Sequence, residues 1–270
     1  MAATACGGAG PDAGGSPSAA GGSAAATPSP SPTASDSPAA SPSPARTAAA
    51  QPLRGKVVTI DPGHNGGNAS APEEINRQVP AGNGARKACD TTGTQTNAGY
   101  TEHAFAWDVA KRLNKRLRAL GATTVLTRKN DKGMGPCVNE RAAIGNEAEA
   151  DAAISIHADG APASARGFHV IMPGRGSDVT AALAADSRRL GLAVRSAYRS
   201  GTRSPYSTYL GRNGLDTRTD LGGLNLSTVP KVFIECGNMR NSAEAARMSS
   251  ARFRQRAADA LADGIATYLR

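Results

Sequence analysis

The stretch VVTIDPGHNGG, residues 57–67, contains the first strand that the chain can form and the corner that follows it. Residues 57–61 are mostly β-branched or apolar, which predicts a buried strand. The strand meets Pro62 and Gly63, and His64 stands in the corner before two more glycines. Such a corner could bind phosphate, present a metal ligand or only turn the chain. The pattern is neither a P-loop nor G-x-G-x-x-G and lacks the Lys-Ser/Thr that would follow, so phosphate binding is disfavoured.

Similar apolar runs along the chain indicate the rest of the fold. Residues recurring every three or four positions predict amphipathic helices at 102–120, at 178–198 and from 253 to the C-terminus. Strands alternating with helices predict an α/β fold with a mostly parallel sheet. Segment 65–100 is polar and too long for an ordinary connection, which is typical of a functional loop. Further strands are predicted at 122–127, 152–157, 168–172 and 231–235.

The first fifty residues differ in composition from the rest. Ala, Gly, Ser, Pro and Thr supply 45 of them, and no Leu, Ile, Val or aromatic residue occurs there. This segment cannot bury enough apolar surface to offset the entropy of ordering it, which predicts a disordered tether at 1–50. Residues 51–270 are enough for one domain with its own core.

The charge balance bears on the partners of the protein. The chain has a formal net charge of +9. Residues 1–50 have a net charge of −1, because they contain one arginine, Arg46, and two aspartates, Asp12 and Asp36. The remaining residues therefore have a net charge of +10. This charge gives solubility, or attraction to a polyanion such as an anionic cell envelope. Nucleic acid is disfavoured, because aromatic residues are 4% of the chain and no basic stripe interleaves with them. No apolar run approaches the length of a transmembrane helix.

The cysteines suggest an exported protein. Near the N-terminus, ATAC followed by two glycines resembles the cleavage end of a lipoprotein signal, which would make Cys6 the lipidated residue; the alternative is an incidental cysteine in the tether. Cys89 and Cys137 both lie in polar, glycine-rich loops. In an exported protein we expect a Cys89–Cys137 disulfide, with Cys236 left as a free thiol.

Titratable residues gather where the predicted strands end. His64 follows the first strand, His157 ends the third, Glu235 ends the last, and Glu102 begins the first long helix. Because sites in open α/β sheets lie at the carboxyl ends of strands, we expect these groups to meet. Two imidazoles and a carboxylate form a ligand set for catalytic zinc, and a second carboxylate serves as general base. Glu102 is the expected ligand and Glu235 the expected base, although spacing alone permits the reverse.

Other uses of these residue types stay open at this point. The four groups could form a structural hydrogen-bond network, or Cys236 could pair with a histidine as a nucleophile, although the neighbouring Glu235 opposes thiolate formation. His103 turns about 100° away from Glu102 on the same helix, and His169 lies inside a strand, so neither is expected to be a ligand.

Four segments resemble a known family, the zinc-dependent N-acetylmuramoyl-L-alanine amidases of bacterial cell walls, and especially its mycobacterial-type members. They are TIDPGHNGG, TEHAFAWDVAKRLNKRL, TTVLTR with NERAAIGNEAEADAAISIHADG, and VPKVFIECGNMRN, in the family's order. The resemblance implies one Zn²⁺ per chain on His64, Glu102 and His157, with Glu235 as the catalytic glutamate. It also implies a single α/β domain at 51–270, whose mixed, mostly parallel sheet of about six strands is flanked by helices on both faces.

The implied reaction is hydrolysis of the amide between N-acetylmuramic acid and L-alanine in peptidoglycan, during cell-wall remodelling or daughter-cell separation. Many relatives carry a helical plug over the zinc, whereas 173–230 here is accounted for by one helix and a glycine-rich loop, which predicts an open site. Basic residues such as Arg128 or Arg212 could meet stem-peptide carboxylates. The alternatives are a zinc peptidase cutting within the stem peptide and a non-catalytic wall-binding regulator. We expect an exported monomer.

Overall fold

A computed structural model describes residues 51–174, 178–179 and 181–270 of the protein. The predicted tether and Cys6 therefore lie outside the described residues. In this part of the chain, eight strands run in the order β1 Val57–Pro62, β2 Gln78–Pro80, β3 Arg86–Ala88, β4 Thr123–Leu126, β5 Ala152–Asp159, β6 His169–Pro173, β7 Leu215–Arg218 and β8 Lys231–Asn238. The helices are α1 Pro72–Asn76, α2 Glu102–Ala119, α3 Val138–Glu147, α4 Ala181–Thr202, α5 Gly222–Asn225, α6 Ser242–Ser249 and α7 Ala251–Leu269, with a 3₁₀ turn at Asn68–Ser70.

Six of these strands form one mixed sheet in the order β4-β1-β5-β8-β6-β7. Strands β4, β1, β5 and β8 run parallel to one another. Strand β6 pairs antiparallel with β8 and parallel with β7, so the last two strands run the other way. The mostly parallel α/β sheet that the sequence predicted is confirmed, and the carboxyl ends of β1, β5 and β8 lie side by side.

One face of the sheet is apolar and packs on three long helices. The side chains of that face alternate along the three central strands and are fully buried, and they are Val58, Ile60, Ile154, Ile156, Val232 and Ile234. They share one core with the predicted apolar positions of α2 and α7, such as Phe105, Leu113 and Leu261. A Cβ on Gly191 of α4 would come within 3.0 Å of the Met172 side chain of β6, which places α4 on this face as well.

The opposite face carries polar groups that are in register across strands. Asp61 of β1 is paired with Ser155 of β5, and Ser155 is paired with Phe233 of β8. Two residues further along, His157 is paired with Glu235. Because side chains alternate between faces, these residues point to the same side, where α3, α5 and the segment 62–101 lie.

The sequence missed the short elements. Strand β7 and the hairpin β2–β3 were not predicted, and neither were α1, α3, α5 and α6. The segment 173–230 therefore holds β7 and α5 in addition to the one predicted helix. Segment 65–100 contains a 3₁₀ turn, α1 and the hairpin, so it is less irregular than its composition indicated. Strands β5 and β8 also continue past the predicted ends, so His157 and Glu235 lie inside these strands and not at their last residues. Every helix in the described part of the chain is too short or too polar to span a membrane.

Candidate metal centre

Glu102 stands at the first residue of α2 and is buried, with its side chain 6% exposed. A carboxylate is favoured there because the helix N-terminus carries partial positive charge. Its Oε2 accepts a hydrogen bond from the Thr94 backbone N–H at 2.9 Å, and Oε1 accepts one from Ala158 N–H at 3.2 Å. Both oxygens are thereby held in fixed positions at the sheet edge.

His64 occupies the corner after β1 with a left-handed backbone, at φ 58°. This conformation is strained for a residue with a Cβ, and two buried arginines hold the corner in place. Arg141 donates to the carbonyl oxygens of Pro62 and His64 at 2.7 and 2.9 Å, and Arg128 donates to that of Pro62 at 3.1 Å. The imidazole Nε2 lies 3.2 Å from Glu102 Oε1, while Nδ1 lies 3.0 Å from Asp90 Oδ1.

His157 reaches the same carboxylate from β5. Its Nδ1 lies 2.9 Å from Glu102 Oε1, and its Nε2 lies 3.2 Å from the Ser155 hydroxyl. The ring stacks on Phe233, with centroids 5.3 Å apart and planes 12° from parallel. The backbone of Gly63 also lies against this imidazole. A Cβ built on Gly63 would be only 2.3 Å from Cε1 of His157. Only glycine leaves room for the imidazole.

The three side chains form one donor set. One ligand atom from each of His64, Glu102 and His157 lies within 4.8 Å of the others. In each histidine the second ring nitrogen has its own partner, which leaves the nitrogen facing Glu102 for a metal ion. Two imidazole nitrogens and one carboxylate oxygen suit Zn²⁺ and leave a fourth position for water or substrate. The residues therefore fit one zinc ion.

Electrostatics reflects this clustering. Burial opposes the charged form of His64, but the Glu102 carboxylate and the hydrogen bond to Asp90 outweigh it and raise the pKa of His64 to about 10. Burial likewise opposes ionisation of Glu102, yet the adjacent His64 and His157 hold its pKa well below the usual range. Glu102 is thus kept as an ionised carboxylate between the two imidazoles.

Glu235, unlike Glu102, has a side-chain oxygen without a hydrogen-bond partner among the described residues. It is paired in register with His157 on one side and with His169 on the other. Its Oε2 atom is buried and accepts no hydrogen bond from any described residue. Burial, followed by repulsion from Glu102 and Asp159, raises the pKa of Glu235 well above its ordinary value. Such an unpartnered carboxyl is typical of a group that exchanges protons.

Two cavities meet at the donor set. One, of about 350 Å³, is lined by His64, Glu102, His157 and Glu235 together with Thr94, Asp159 and Arg218. The other, of about 420 Å³, shares His64, His157 and Phe233 and continues between Ala88, Val138 and Leu221. The four residues that the sequence singled out therefore all line the first cavity, which together with its neighbour makes up the cleft. Helix α4, which belongs to the segment between β6 and β8, lies on the far face of the sheet.

The other histidines, arginines and the cysteine that the sequence singled out lie outside the donor set. His103 lies 2.9 Å from Asp131 and does not join the donor set, and His169 is buried beside Glu235. Arg128 is buried and stacks on Trp107, and Arg218, not Arg128 or Arg212, lines the cavity that contains Glu235. Cys236 lies within β8, not beyond it, and its burial raises the pKa of the thiol, which argues against a nucleophile.

The disulfide between Cys89 and Cys137 is present, and Cys236 is the free cysteine among the described residues, as predicted. The bond joins the end of the hairpin to the start of α3. Asp90, the partner of His64, directly follows Cys89, and Arg141 of α3 donates to Asp90 Oδ2 at 3.3 Å. Sequence reasoning missed the role of Asp90, and only its position beside a predicted disulfide could have indicated it. The second group of metal-ligating residue types, Glu74 with Cys89 and Cys137, contains the bonded sulfurs and offers no thiolate.

A mixed α/β sheet with a His₂Glu donor set and a free carboxyl at its edge is typical of metal-dependent hydrolases. A sequence profile of the N-acetylmuramoyl-L-alanine amidases matches residues 58–267. The chain belongs to this family, and it is therefore a peptidoglycan amidase.

Individual relatives agree. The chain is 45% identical over 225 residues to the N-acetylmuramoyl-L-alanine amidase Rv3717 of Mycobacterium tuberculosis, covering 83% of this chain and 91% of the relative. The crystal structure of the amidase Ami1 from Mycobacterium smegmatis matches with a TM-score of 0.76 and 43% identity, over 80% of this chain and 98% of that one. Ami1 from Mycobacterium abscessus, in its apo form, matches with a TM-score of 0.76 and 41% identity, over 81% of this chain and all of that one.

Proposed function

We propose that the protein hydrolyses the amide between N-acetylmuramic acid and L-alanine with one zinc ion and Glu235 as general base. His64, Glu102 and His157 would hold the metal through the donor set described above. When bound, zinc supplies a Lewis acid that polarises a carbonyl group and lowers the pKa of water. The observation that carries the proposal is the buried, unpartnered Glu235 Oε2 in the cavity that the three ligands line.

Glu235 performs the proton transfers in this proposal. It accepts the proton of the attacking water and returns it to the alanine nitrogen as the amide bond breaks. Burial among carboxylates makes Glu235 a stronger base than a solvated glutamate, which suits both steps. The two cavities that meet at the centre offer room for the sugar side and the peptide side of the substrate.

The setting of the activity is also part of the proposal. An amidase that acts on peptidoglycan works outside the cytoplasm, in cell-wall remodelling or daughter-cell separation. The Cys89–Cys137 disulfide supports export, because such bonds persist in oxidising compartments. Lipid anchoring at Cys6 and the role of residues 1–50 as a tether stay predictions.

The first prediction concerns Glu235→Gln, which keeps the shape of the side chain and removes the base. We expect kcat on muropeptides to fall at least about 100-fold, the lower range for loss of a general base. Metal analysis by mass spectrometry is expected to find the wild-type zinc content, since Glu235 is not among the proposed ligands. Glu147→Gln, on an exposed face of α3, is the matched control and should keep wild-type rates.

Product analysis separates this function from its alternatives. Release of intact stem peptides with N-terminal L-alanine supports the amidase, whereas cleavage between two amino acids would identify a stem peptidase. Unchanged turnover in Glu235→Gln would overturn the general-base mechanism. A wild-type protein that binds peptidoglycan and hydrolyses nothing would point instead to a wall-binding regulator.

A further inference from the structure

We propose that Ser155 and Asp61 form a relay that positions His157, holding the proton on Nε2 so that Nδ1 faces the metal position. The relay rests on the proposed function, because it acts on a proposed zinc ligand. Neither residue is one of the proposed ligands: Ser155 contacts His157, and Asp61 contacts Ser155, so both are positioning residues.

The direction of each hydrogen bond follows from the chemistry of the groups. Ser155 Oγ lies 2.9 Å from Asp61 Oδ2 and 3.2 Å from His157 Nε2. An ionised carboxylate only accepts hydrogen bonds, so the single hydroxyl proton of Ser155 goes to Asp61. The hydroxyl oxygen can then only accept from His157, which requires a proton on Nε2. With zinc bound, Nδ1, the atom 2.9 Å from Glu102, would then direct its lone pair at the metal, whereas in the metal-free site the same nitrogen needs a proton to hydrogen-bond that carboxylate.

Asp61 is held in place by three other groups. Arg141 Nη1 and Thr127 Oγ1 donate to Oδ1 at 2.8 and 2.7 Å, and Lys231 Nζ donates to Oδ2 at 3.2 Å. All four side chains are buried. Burial alone would favour the neutral acid, but the positive charges of Lys231 and Arg141 keep the pKa of Asp61 well below its usual range. The end of the relay is thus a fixed, ionised carboxylate.

The sheet itself sets the spacing of the relay. Asp61 and Ser155 are register partners on neighbouring parallel strands, and His157 follows Ser155 by two residues on the same face. Lys231 reaches Asp61 from the next strand, two residues before Phe233, the ring on which His157 stacks. Three strands therefore fix one imidazole.

The two histidines are held by opposite nitrogens. His64 has Nδ1 on Asp90 and Nε2 towards Glu102, whereas His157 has Nε2 on Ser155 and Nδ1 towards Glu102. Partners of this kind fix the tautomer and orientation of metal-ligating histidines, and their loss typically lowers metal affinity 10–100-fold. Asp90 acts directly, while Asp61 acts through a hydroxyl.

The test compares Ser155→Ala with Thr127→Val. Both remove one hydroxyl donor to Asp61, but only Ser155 also touches His157. Zinc affinity is measured by competition with a chelator on the full chain, alongside ¹⁵N chemical shifts of the histidine rings in the zinc-loaded protein. We expect Ser155→Ala to weaken zinc binding about 10–100-fold and to shift the ¹⁵N signal of His157 Nε2, which loses its hydrogen-bond acceptor. Thr127→Val should stay within about threefold, and Ser155→Thr should restore most of the affinity because it keeps the hydroxyl.

Equal losses in Ser155→Ala and Thr127→Val would show that Ser155 acts only through the stability of the Asp61 cluster, and this would overturn the relay. Wild-type affinity in Ser155→Ala would overturn it as well. If Ser155→Ala fails to fold, the spectrum of the zinc-loaded wild type decides: a protonated Nε2 on His157 supports the relay, and a protonated Nδ1 refutes it. A wild-type protein that binds no zinc sinks the proposed function itself, which is a different result from a zinc-binding protein whose Ser155→Ala variant is normal.

Discussion

At the scale of the residue, the centre depends on the missing side chain of Gly63. A Cβ there would lie 2.3 to 2.7 Å from three ring atoms of His157, closer than any real contact of that kind. The left-handed backbone conformation falls instead on His64, the next residue. Glycine is therefore needed at position 63 so that the backbone after β1 can approach His157 of β5 closely. The backbone strain of the corner lies on His64, a proposed ligand.

This argument predicts the outcome of Gly63→Ala. The new methyl group displaces the ring of His157 from Phe233 and Glu102, so we expect zinc affinity to fall about 10–100-fold, as for other losses of ligand orientation. Titration against a chelator measures the effect, and circular dichroism checks the fold. Gly145→Ala in α3 is the matched control: its Cβ would sit 3.6 Å or more from Thr59, and a helical Gly→Ala change stabilises by about 0.5–1 kcal/mol. Equal zinc affinities for the two variants would contradict the steric argument.

Four residues of the cleft were predictable from sequence because each one borders an apolar run; they are His64, Glu102, His157 and Glu235. The apolar run predicts the strand or helix, and the carboxyl ends of parallel strands lie at one edge of the sheet. Their supporting residues were not predictable in the same way. Asp90 lies in a polar segment with many similar residues, and Ser155 is an ordinary polar position in a strand until the register with Asp61 is known.

At the scale of the element, the hairpin β2–β3 is tied to α3 by a disulfide that closes a long loop. Cys89 and Cys137 are 48 residues apart, and the loop between them includes Glu102 and the whole of α2. Closing a loop of this length restricts the unfolded chain, which stabilises the native state by about 4 kcal/mol in the chain-entropy account. The same bond holds Asp90 beside His64.

We therefore expect the double variant Cys89→Ala/Cys137→Ala to melt about 8–16 °C below the wild type, given roughly 2–4 °C per kcal/mol for a domain of this size. Differential scanning calorimetry measures the shift. A reducing agent should lower the melting temperature of the wild type and of Cys236→Ala, and leave the double variant unchanged. A reductant-sensitive double variant would show that another cysteine pair carries the stabilisation.

The elements that sequence predicted are those with a buried face. Strands β1, β5, β6 and β8 are β-branched and apolar, and α2 and α7 repeat their apolar residues every three or four positions. Strand β7 and the hairpin carry mostly charged or polar residues at the edge of a sheet or outside the main sheet, so no hydrophobic period marks them. Their pairing depends on contacts with distant segments, such as the hydrogen bond from Asn83 Nδ2 to Thr219 O at 2.9 Å.

At the scale of the whole molecule, one patch of exposed positive charge lies on α2, away from the cleft. The C-terminal half of α2 exposes Lys111, Lys115, Arg116 and Arg118. Lys115 lies thirteen residues after Glu102 on one helix, which is about 20 Å at 1.5 Å per residue. An anionic polymer could thus bind this surface without blocking the centre.

This surface yields a prediction about association with the cell envelope. We expect Lys111→Glu/Lys115→Glu to bind purified anionic cell walls several-fold more weakly at low salt, with a smaller response to added NaCl, because fewer charges are screened. Co-sedimentation measures the binding, and hydrolysis of a soluble muropeptide should not change. Lys129→Glu/Arg188→Glu makes the same change in net charge at other exposed positions. Equal losses in both variants would mean that net charge, and not the α2 surface, determines the association.

The two unlike faces of the central sheet have a consequence for how the protein tolerates mutation. Along β5, Ile154 and Ile156 face the helical core, while Ser155 and His157 face the cleft. A scan of every substitution in this strand would give two alternating phenotypes: low protein abundance at the first pair, and abundant but inactive protein at the second. The same alternation of the two phenotypes should occur along β1 and β8, at the positions that are paired with those of β5. Abundance and activity scores together would therefore reveal the pleat and register of the sheet without a structure.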